Sequence, residues 1–245
     1  MKVSVVMPCF NEEKFLKEAI DSVIGQTIKP SEIVYVDDCS TDSSYHIAFS
    51  HEGRHVLENG IRCFKNEKNE GIGFTRKRGA ELANGDFVFF LSGDDVLAPH
   101  AIETMLAYAK IYPDSIIYSD FETMDEDGNK IEEVKSPEFK DYGQFTQAVL
   151  NAARDNKMFV CYNIFASARL LKDNNFDGGI RFGEDLEHLL RCVLIKRINF
   201  VHVPWVLFRY RVHNKMATQQ RWDEIAGNNR KSFDKINSLA GKTIL

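Results

Sequence analysis

An α/β protein with a mainly parallel central sheet flanked by helices is the fold class this sequence predicts, and three observations predict it. Apolar runs alternate with amphipathic stretches in the order β-α-β-α-β-α-β along the first part of the chain, and helical crossovers of that kind join parallel strands. The run from Phe87 to Leu91 is unbroken apolar and aromatic, bracketed by Asn84-Gly85 and Gly93-Asp94-Asp95, as a strand buried on both faces should be. Polar, carboxylate-bearing clusters follow three of these strands, after Met7, Val36 and Leu91, and so share the sheet edge at which open α/β folds bind ligands.

Each element has its own signature. Residues 3–7 form the first strand, ending at Pro8; residues 12–25 then place Phe15, Leu16, Ala19, Ile20, Val23 and Ile24 on one helical face, with Asn11 positioned as the N-cap. Pro30 interrupts the chain before a second strand over 33–36, and Asp37-Asp38-Cys39-Ser40-Thr41-Asp42 is a polar loop into the next helix. A short third strand covers 61–64, residues 69–73 make a turn, and a helix over 74–83 carries Arg76, Lys77 and Arg78. After Pro99, Ile102, Met105, Leu106 and Ala109 mark one helix face, and residues 116–124 and 130–134 flank the turn of a hairpin. Regular alternation stops there. Residues 135–142 are polar, 145–153 helical, and a helix after Gly183 aligns Leu186, Leu189, Leu190, Val193 and Leu194. Strands over 198–203 and 206–210 and a weakly patterned helix over 219–237 complete the pattern.

A chain of 245 residues is long enough for one large α/β domain with a substantial core. Its net charge of -5 excludes a general nucleic-acid binder, which needs a broad basic field, so any phosphates bound should belong to small molecules. Cys9, Cys39, Cys63, Cys161 and Cys192 lack C-x-x-C spacing and support neither a disulfide framework nor a zinc site; reduced core cysteines are expected. No stretch approaches the ~20 apolar residues of a spanning helix, and strand-forming residues at the start leave no room for a signal peptide. The expected compartment is the cytoplasm, with room for peripheral contact at the inner face of the membrane.

Asp94 and Asp95 are adjacent carboxylates at a strand's carboxyl end, and they repel unless something positive lies between them. A hard divalent cation that also bridges to phosphate is one solution; a helix-capping Asp94 beside a solvated Asp95 is the other. With Arg76 or Arg78 on the phosphates and Asp37 or Asp38 accepting from a base N–H or ribose hydroxyl, the edge could hold a nucleoside diphosphate. No G-x-G-x-x-G follows the first strand, which disfavours a dehydrogenase, and Pro8-Cys9-Phe10-Asn11 is not the Gly-rich basic loop of a sugar-phosphate nucleotidyltransferase.

Pro8-Cys9-Phe10-Asn11-Glu12-Glu13, the Asp37 to Asp42 loop, Asn69-Glu70-Gly71 with Arg76, Ala83-Asn84-Gly85-Asp86, Ser92-Gly93-Asp94-Asp95, Gly183-Glu184-Asp185 and Arg209-Tyr210-Arg211-Val212-His213 resemble, in order, the motifs of inverting glycosyltransferases of family 2. The resemblance implies a GT-A fold with a Rossmann-like nucleotide-binding half, a nucleotide-sugar donor, UDP-linked by preference, and Mn²⁺ or Mg²⁺. It assigns nucleotide contacts to Pro8, Phe10, Asn11, Glu12, Asp37, Asp38, Arg76 and Asp94, metal contacts to Asp95, Asp94 and His213, and the catalytic base to Asp185, with Glu184 the alternative. The sequence departs from the pattern at Cys39, Lys77 and Ser92, where Gly, Asn and Asp are usual, and Gln219-Gln220-Arg221-Trp222 is one residue short of the processive-synthase motif. Transfer of one sugar to a glycan or lipid-linked acceptor is the implied activity, and a silent nucleotide-sugar-binding module of the same fold is the alternative. The implied division is a donor-binding half over 1–134, an acceptor and catalytic half over 135–215 and a helical extension over 216–245 that could support a homodimer.

Overall fold

The computed structural model describes residues 1–51, 57–155 and 163–243. Strand β1 (Val3–Cys9), buried along its whole length, is paired in parallel with β2 (Glu32–Asp37) on one side and β4 (Phe87–Phe90) on the other, and β2 pairs in parallel with β3 (Ile61–Lys65). Helices α1 (Leu16–Ile24), α2 (Ser44–Phe49) and α3 (Ile72–Leu82) make the crossovers, which is why the apolar runs stay parallel. Past β4 the sheet is mixed. β5 (Val96–Leu97) precedes α4 (Ala101–Ile111), β6 (Ile116–Met124) turns into β7 (Lys130–Val134), and β8 (Phe165–Ser167) and β9 (Phe200–Arg211) complete the strands among the described residues. Their order is β3-β2-β1-β4-β8-β6-β9-β5, with β7 paired to β6. Helices α5 (Tyr142–Asp155), α6 (Ala168–Asp173), α7 (Glu184–Leu190), α8 (Ala217–Gln220) and α9 (Trp222–Thr243) fill the remainder.

Alternation along β1 sends Val5 and Met7 into one apolar core, with Leu16, Ile20, Ile102 and Met105 of α1 and α4, and Val6 into the other, with Val149, Leu186, Leu189 and Ile236 of α5, α7 and α9. Fully burying such side chains contributes about 1.5–3 kcal/mol each, so both faces of the strands hold the edge loops in place.

Several elements differ from the sequence reading. Asn11 is not a helix cap: α1 begins at Leu16, after a turn in which the Phe15 and Leu16 amides both donate to Glu12 O, and Asn11 adopts φ 58° with its side chain turned to the next loop. The expected turn at 69–73 already contains the start of α3, because Gly71 at φ 95° ends the loop and lets the helix begin at Ile72. The two strands expected over 198–210 are one strand, irregular opposite Ser119 to Phe121 around Pro204, and α7 runs on into a π-helical turn over Arg191–Ile195. The C-terminal helix is broken at Arg221. Cys9 and Cys192 are buried core cysteines, but Cys39 and Cys63 are half-buried; Cys161 and His55 lie outside the described residues. No helix among the described residues is long and apolar enough to cross a membrane.

Candidate active site

Because β1, β2 and β4 are parallel neighbours, the loops that leave their carboxyl ends lie together. The Asn11 amide donates to Ser40 Oγ (3.0 Å), the Thr41 amide to Asn11 Oδ1 (2.8 Å), the Glu12 amide to Ser44 Oγ (2.8 Å) and the Asp38 amide to Cys9 O (2.8 Å). Gly93 closes the third side: a Cβ there would stand 2.3 Å from Glu12 Oε2 and 3.2 Å from Cys9 Sγ. Pro8 lies inside β1, paired in register with Val36, and the Phe10 ring just beyond it is 43% exposed at the rim. Asp37 turns inward, accepting from the Ser40 amide (2.8 Å) and the Tyr35 hydroxyl (3.1 Å). It shapes the loop and does not face an open site.

Asp38 is buried and serves the third loop. Its carboxylate accepts from Asn66 Nδ2 and from the Glu70 and Gly71 amides, each at 2.8 Å. That latch fixes the N-terminus of α3, where Gly71 and Gly73 allow close approach of residues 177–184: a Cβ on Gly71 would lie 2.7 Å from Arg181 Cα, and one on Gly73 2.2 Å from Ile180 O. One turn further, Arg76 donates to Glu184 Oε1 at 2.6 Å, both side chains nearly fully buried, and leaves its own Nε without a hydrogen-bond partner. Burial raises the Glu184 carboxyl to about 7 against the opposing pull of Arg76. Asp185, the next residue, is half-buried, and its carboxylate accepts the Leu186 amide (2.7 Å). The two adjacent acids are therefore in different surroundings, one locked to a guanidinium and one open.

On the β4 side the two aspartates also diverge. Asp95, expected on a metal, is buried with one oxygen accepting from Asn163 Nδ2 (2.9 Å) and the other from the Arg211 amide (3.0 Å); burial and Asp94 push its carboxyl well above the usual range. Asp94 faces His213 instead, Oδ2 to Nε2 at 3.1 Å. The Lys215 amide donates to His213 Nδ1 (3.3 Å), so Nε2 is the ring nitrogen turned to Asp94. The pair brought together at this edge is thus Asp94 with His213, reached by a chain that returns through β9. Asp94 does not cap α4, whose N-cap is His100.

Arg211 makes that return possible, and the sequence reading gave it no role. It is 1% exposed. Its Nε donates to Asp94 O (2.9 Å), its Nη1 to Asp125 O (3.2 Å) and Glu126 O (3.3 Å), and its Nη2 to Glu18 (2.6 Å), while the guanidinium lies 4.7 Å from the Phe15 ring centroid. The available signal was a second arginine two residues after Arg209, which puts it on the same strand face as Arg209.

A divalent cation can be tested against these donors. Asp94 and His213 offer an oxygen and an imidazole nitrogen within reach of one ion, a set that suits Mn²⁺ or Mg²⁺ with water and phosphate oxygens filling the shell. Glu12 Oε2 is buried and has no hydrogen-bond partner, and its carboxyl is pushed well above the usual range by burial and then by Asp94 and Asp95. An oxygen orphaned among carboxylates is what a cation would satisfy. Among the described residues no three His, Cys, Asp or Glu are already arranged around one point.

Carboxylates on three neighbouring loops, with a histidine returned to them by β9, mark this edge of the sheet as the candidate site. The chain belongs to the glycosyl transferase family 2, whose model matches residues 4–173, and is therefore a glycosyltransferase, as the ordered motifs implied. It is 27% identical over 216 residues to an uncharacterized glycosyltransferase of Methanocaldococcus jannaschii, covering 87% of this chain and 71% of that one. It is also 26% identical over 224 residues to the glycosyltransferase GlyG of Streptococcus pneumoniae, covering 89% and 73%. Among solved structures it resembles S. aureus TarS 1-349 in complex with UDP-GlcNAc, with a TM-score of 0.70 and 19% identity over 96% of this chain and 70% of that one. Against another crystal structure of TarS it spans only 37% of the chain compared. The likeness bears out the GT-A fold.

Proposed function

We propose that the protein transfers a single sugar from a nucleoside diphosphate sugar, a UDP-sugar by preference, to a glycan or lipid-linked acceptor, with inversion at the anomeric carbon and Asp185 as general base. The observation that carries this reading is the contrast at the start of α7: Glu184 is tied to Arg76, whereas the neighbouring Asp185 has an open carboxylate. An acceptor hydroxyl attacks the anomeric carbon from the face opposite the diphosphate, the new C–O bond forms as the bond to the β-phosphate oxygen breaks, its electron pair leaves on the diphosphate, and the hydroxyl proton passes to Asp185. Glu184 is then a positioning residue that holds Arg76 against the donor. Asp38 latches the α3 loop over the nucleotide, and Pro8, Phe10, Asn11, Glu12 and Asp37 shape its pocket. Asp94 and His213 would hold Mn²⁺ or Mg²⁺, with Asp95 fixing them through the β9 backbone; bound there, the ion would offset charge gathering on the diphosphate. Work at the inner face of the membrane, from the cytoplasm, fits a lipid-linked acceptor. UDP-GlcNAc in the TarS complex supports the choice of a UDP donor.

The test is a transfer assay with UDP-sugars and Mn²⁺. Asp185→Asn should lower kcat by about 10²- to 10⁴-fold, the usual worth of a positioned base, while calorimetric UDP affinity stays at the wild-type value. Equal turnover by wild type and variant would remove Asp185 from the chemistry. A catalytically silent nucleotide-binding module draws support from Ser92 and from the two protein donors on Asp95. Tight UDP binding with no turnover on a broad acceptor panel would favour it.

A further inference from the structure

Helix α9 meets the turn that carries Asp185 with polar side chains set against the turn's backbone. Asn228 Nδ2 donates to Phe182 O at 3.0 Å. Asn229, buried, stands against the next residue: a Cβ on Gly183 would lie 2.5 Å from Asn229 Oδ1 and 3.4 Å from Ile225 O. Gly183 is the N-cap of α7 at φ 79°, in the left-handed region that glycine enters without strain, so this position needs glycine for its conformation and again for the approach of α9. The same turn is gripped from the other side, where Arg76 of α3 donates to Glu184 at 2.6 Å. Phe182, Gly183 and Glu184 are therefore each fixed by a group from α9 or α3, and Asp185 comes next. Its carboxylate bonds within its own turn, to the Leu186 amide (2.7 Å), so its place follows that of the backbone.

A helix that only covered the core would touch α7 through apolar side chains, as Ile236 does beside Leu186 and Leu189. Asn228 and Asn229 do something else, because they reach the backbone of the two residues that lead into the acidic pair. We propose that Asn228 and Asn229 are positioning residues for sugar transfer: acting through Phe182 and Gly183, they set where the Asp185 carboxylate stands relative to the acceptor hydroxyl. The role of Asp185 itself rests on the proposed function. A base displaced by about 1 Å loses on the order of 10²-fold in rate, while the donor pocket on the far side of Arg76 is left as it was.

The experiment places Asn228→Ala and Asn229→Ala, in the full chain, each in the wild type and in Asp185→Asn. Transfer is assayed with UDP-sugars and Mn²⁺, UDP affinity by calorimetry and folding by circular dichroism. Each asparagine variant should lower kcat about 10- to 100-fold in the wild type, with donor KM and UDP affinity unchanged. In Asp185→Asn it should lower kcat no further, because a misplaced base and an absent base lose the same step. Asn228 is half-buried and the milder change, and it decides the case if Asn229→Ala unfolds. Equal proportional losses in both backgrounds, or a loss that appears in UDP affinity, would mean general damage and overturn the positioning role. Wild-type kcat in Asn228→Ala beside a crippled Asp185→Asn overturns that role alone, whereas full turnover by Asp185→Asn removes the base and its positioning together.

Discussion

The sharpest chemical distinction in the molecule lies between two neighbouring acids. Glu184 and Asp185 have similar intrinsic acidity, yet burial lifts Glu184 to about 7 while Asp185 keeps a partly solvated carboxylate at the first turn of α7. For Glu184 the consequence is a pH-dependent stability. The folded protein keeps its proton up to about pH 7, whereas the unfolded chain releases it near 4.5, so unfolding releases a proton between those values and stability falls as pH rises through that window. Glu184→Gln should flatten this slope in urea unfolding followed from pH 4.5 to 7.5. An unchanged slope would mean that Arg76 holds the carboxylate ionised throughout.

At the scale of elements, β9 is the part that completes the site, and Arg211 is what anchors it. The bond to Glu18 contributes little, because that carboxylate is 52% exposed. The weight falls on the backbone carbonyls of Asp94, Asp125 and Glu126, which no other described side chain reaches with a buried cation. Arg211→Met should cost about 1–3 kcal/mol, as leaving buried acceptors without a donor does, read as a lower urea midpoint; Arg211→Lys should recover little, since an ammonium lacks the planar fork. A loss under 1 kcal/mol would sink the anchor. The same strand shows what the sequence could and could not disclose. Phe87 to Leu91 announced β4 by composition, and Ile102, Met105, Leu106 and Ala109 announced α4 by period. The two residues of β5 and three of β8 are too short for either signal. Asp94 meets His213 across 119 positions and Asp95 meets Asn163 across 68, contacts that no local pattern encodes. The His213 role came from family resemblance, whereas the Asn163 amide and the Arg211 staple were not seen. Asn11 is ambiguous in the sequence because an N-cap side chain and a residue with φ 58° favour the same amino acid.

For the whole molecule, the parallel half presents three loops at one edge, and the mixed half returns β9 and α7 to those loops through His213 on Asp94 and Glu184 on Arg76. Binding a nucleotide there should tie the halves together. A ligand that binds only the folded state stabilises it by RT ln(1 + [L]/Kd), about 2.7 kcal/mol at a hundredfold excess over Kd. For a protein of this length that corresponds to a rise in Tm of about 5–10 °C. UDP with Mn²⁺ should therefore raise Tm by that amount, and chelation with EDTA should remove most of the rise, because the diphosphate then meets Asp94 without a counter-charge. Asp94→Ala should show the smaller, EDTA-insensitive shift whether or not Mn²⁺ is added. A full shift in EDTA with the wild type would mean that the pocket grips UDP through its base and ribose alone, and would remove the cation from the site.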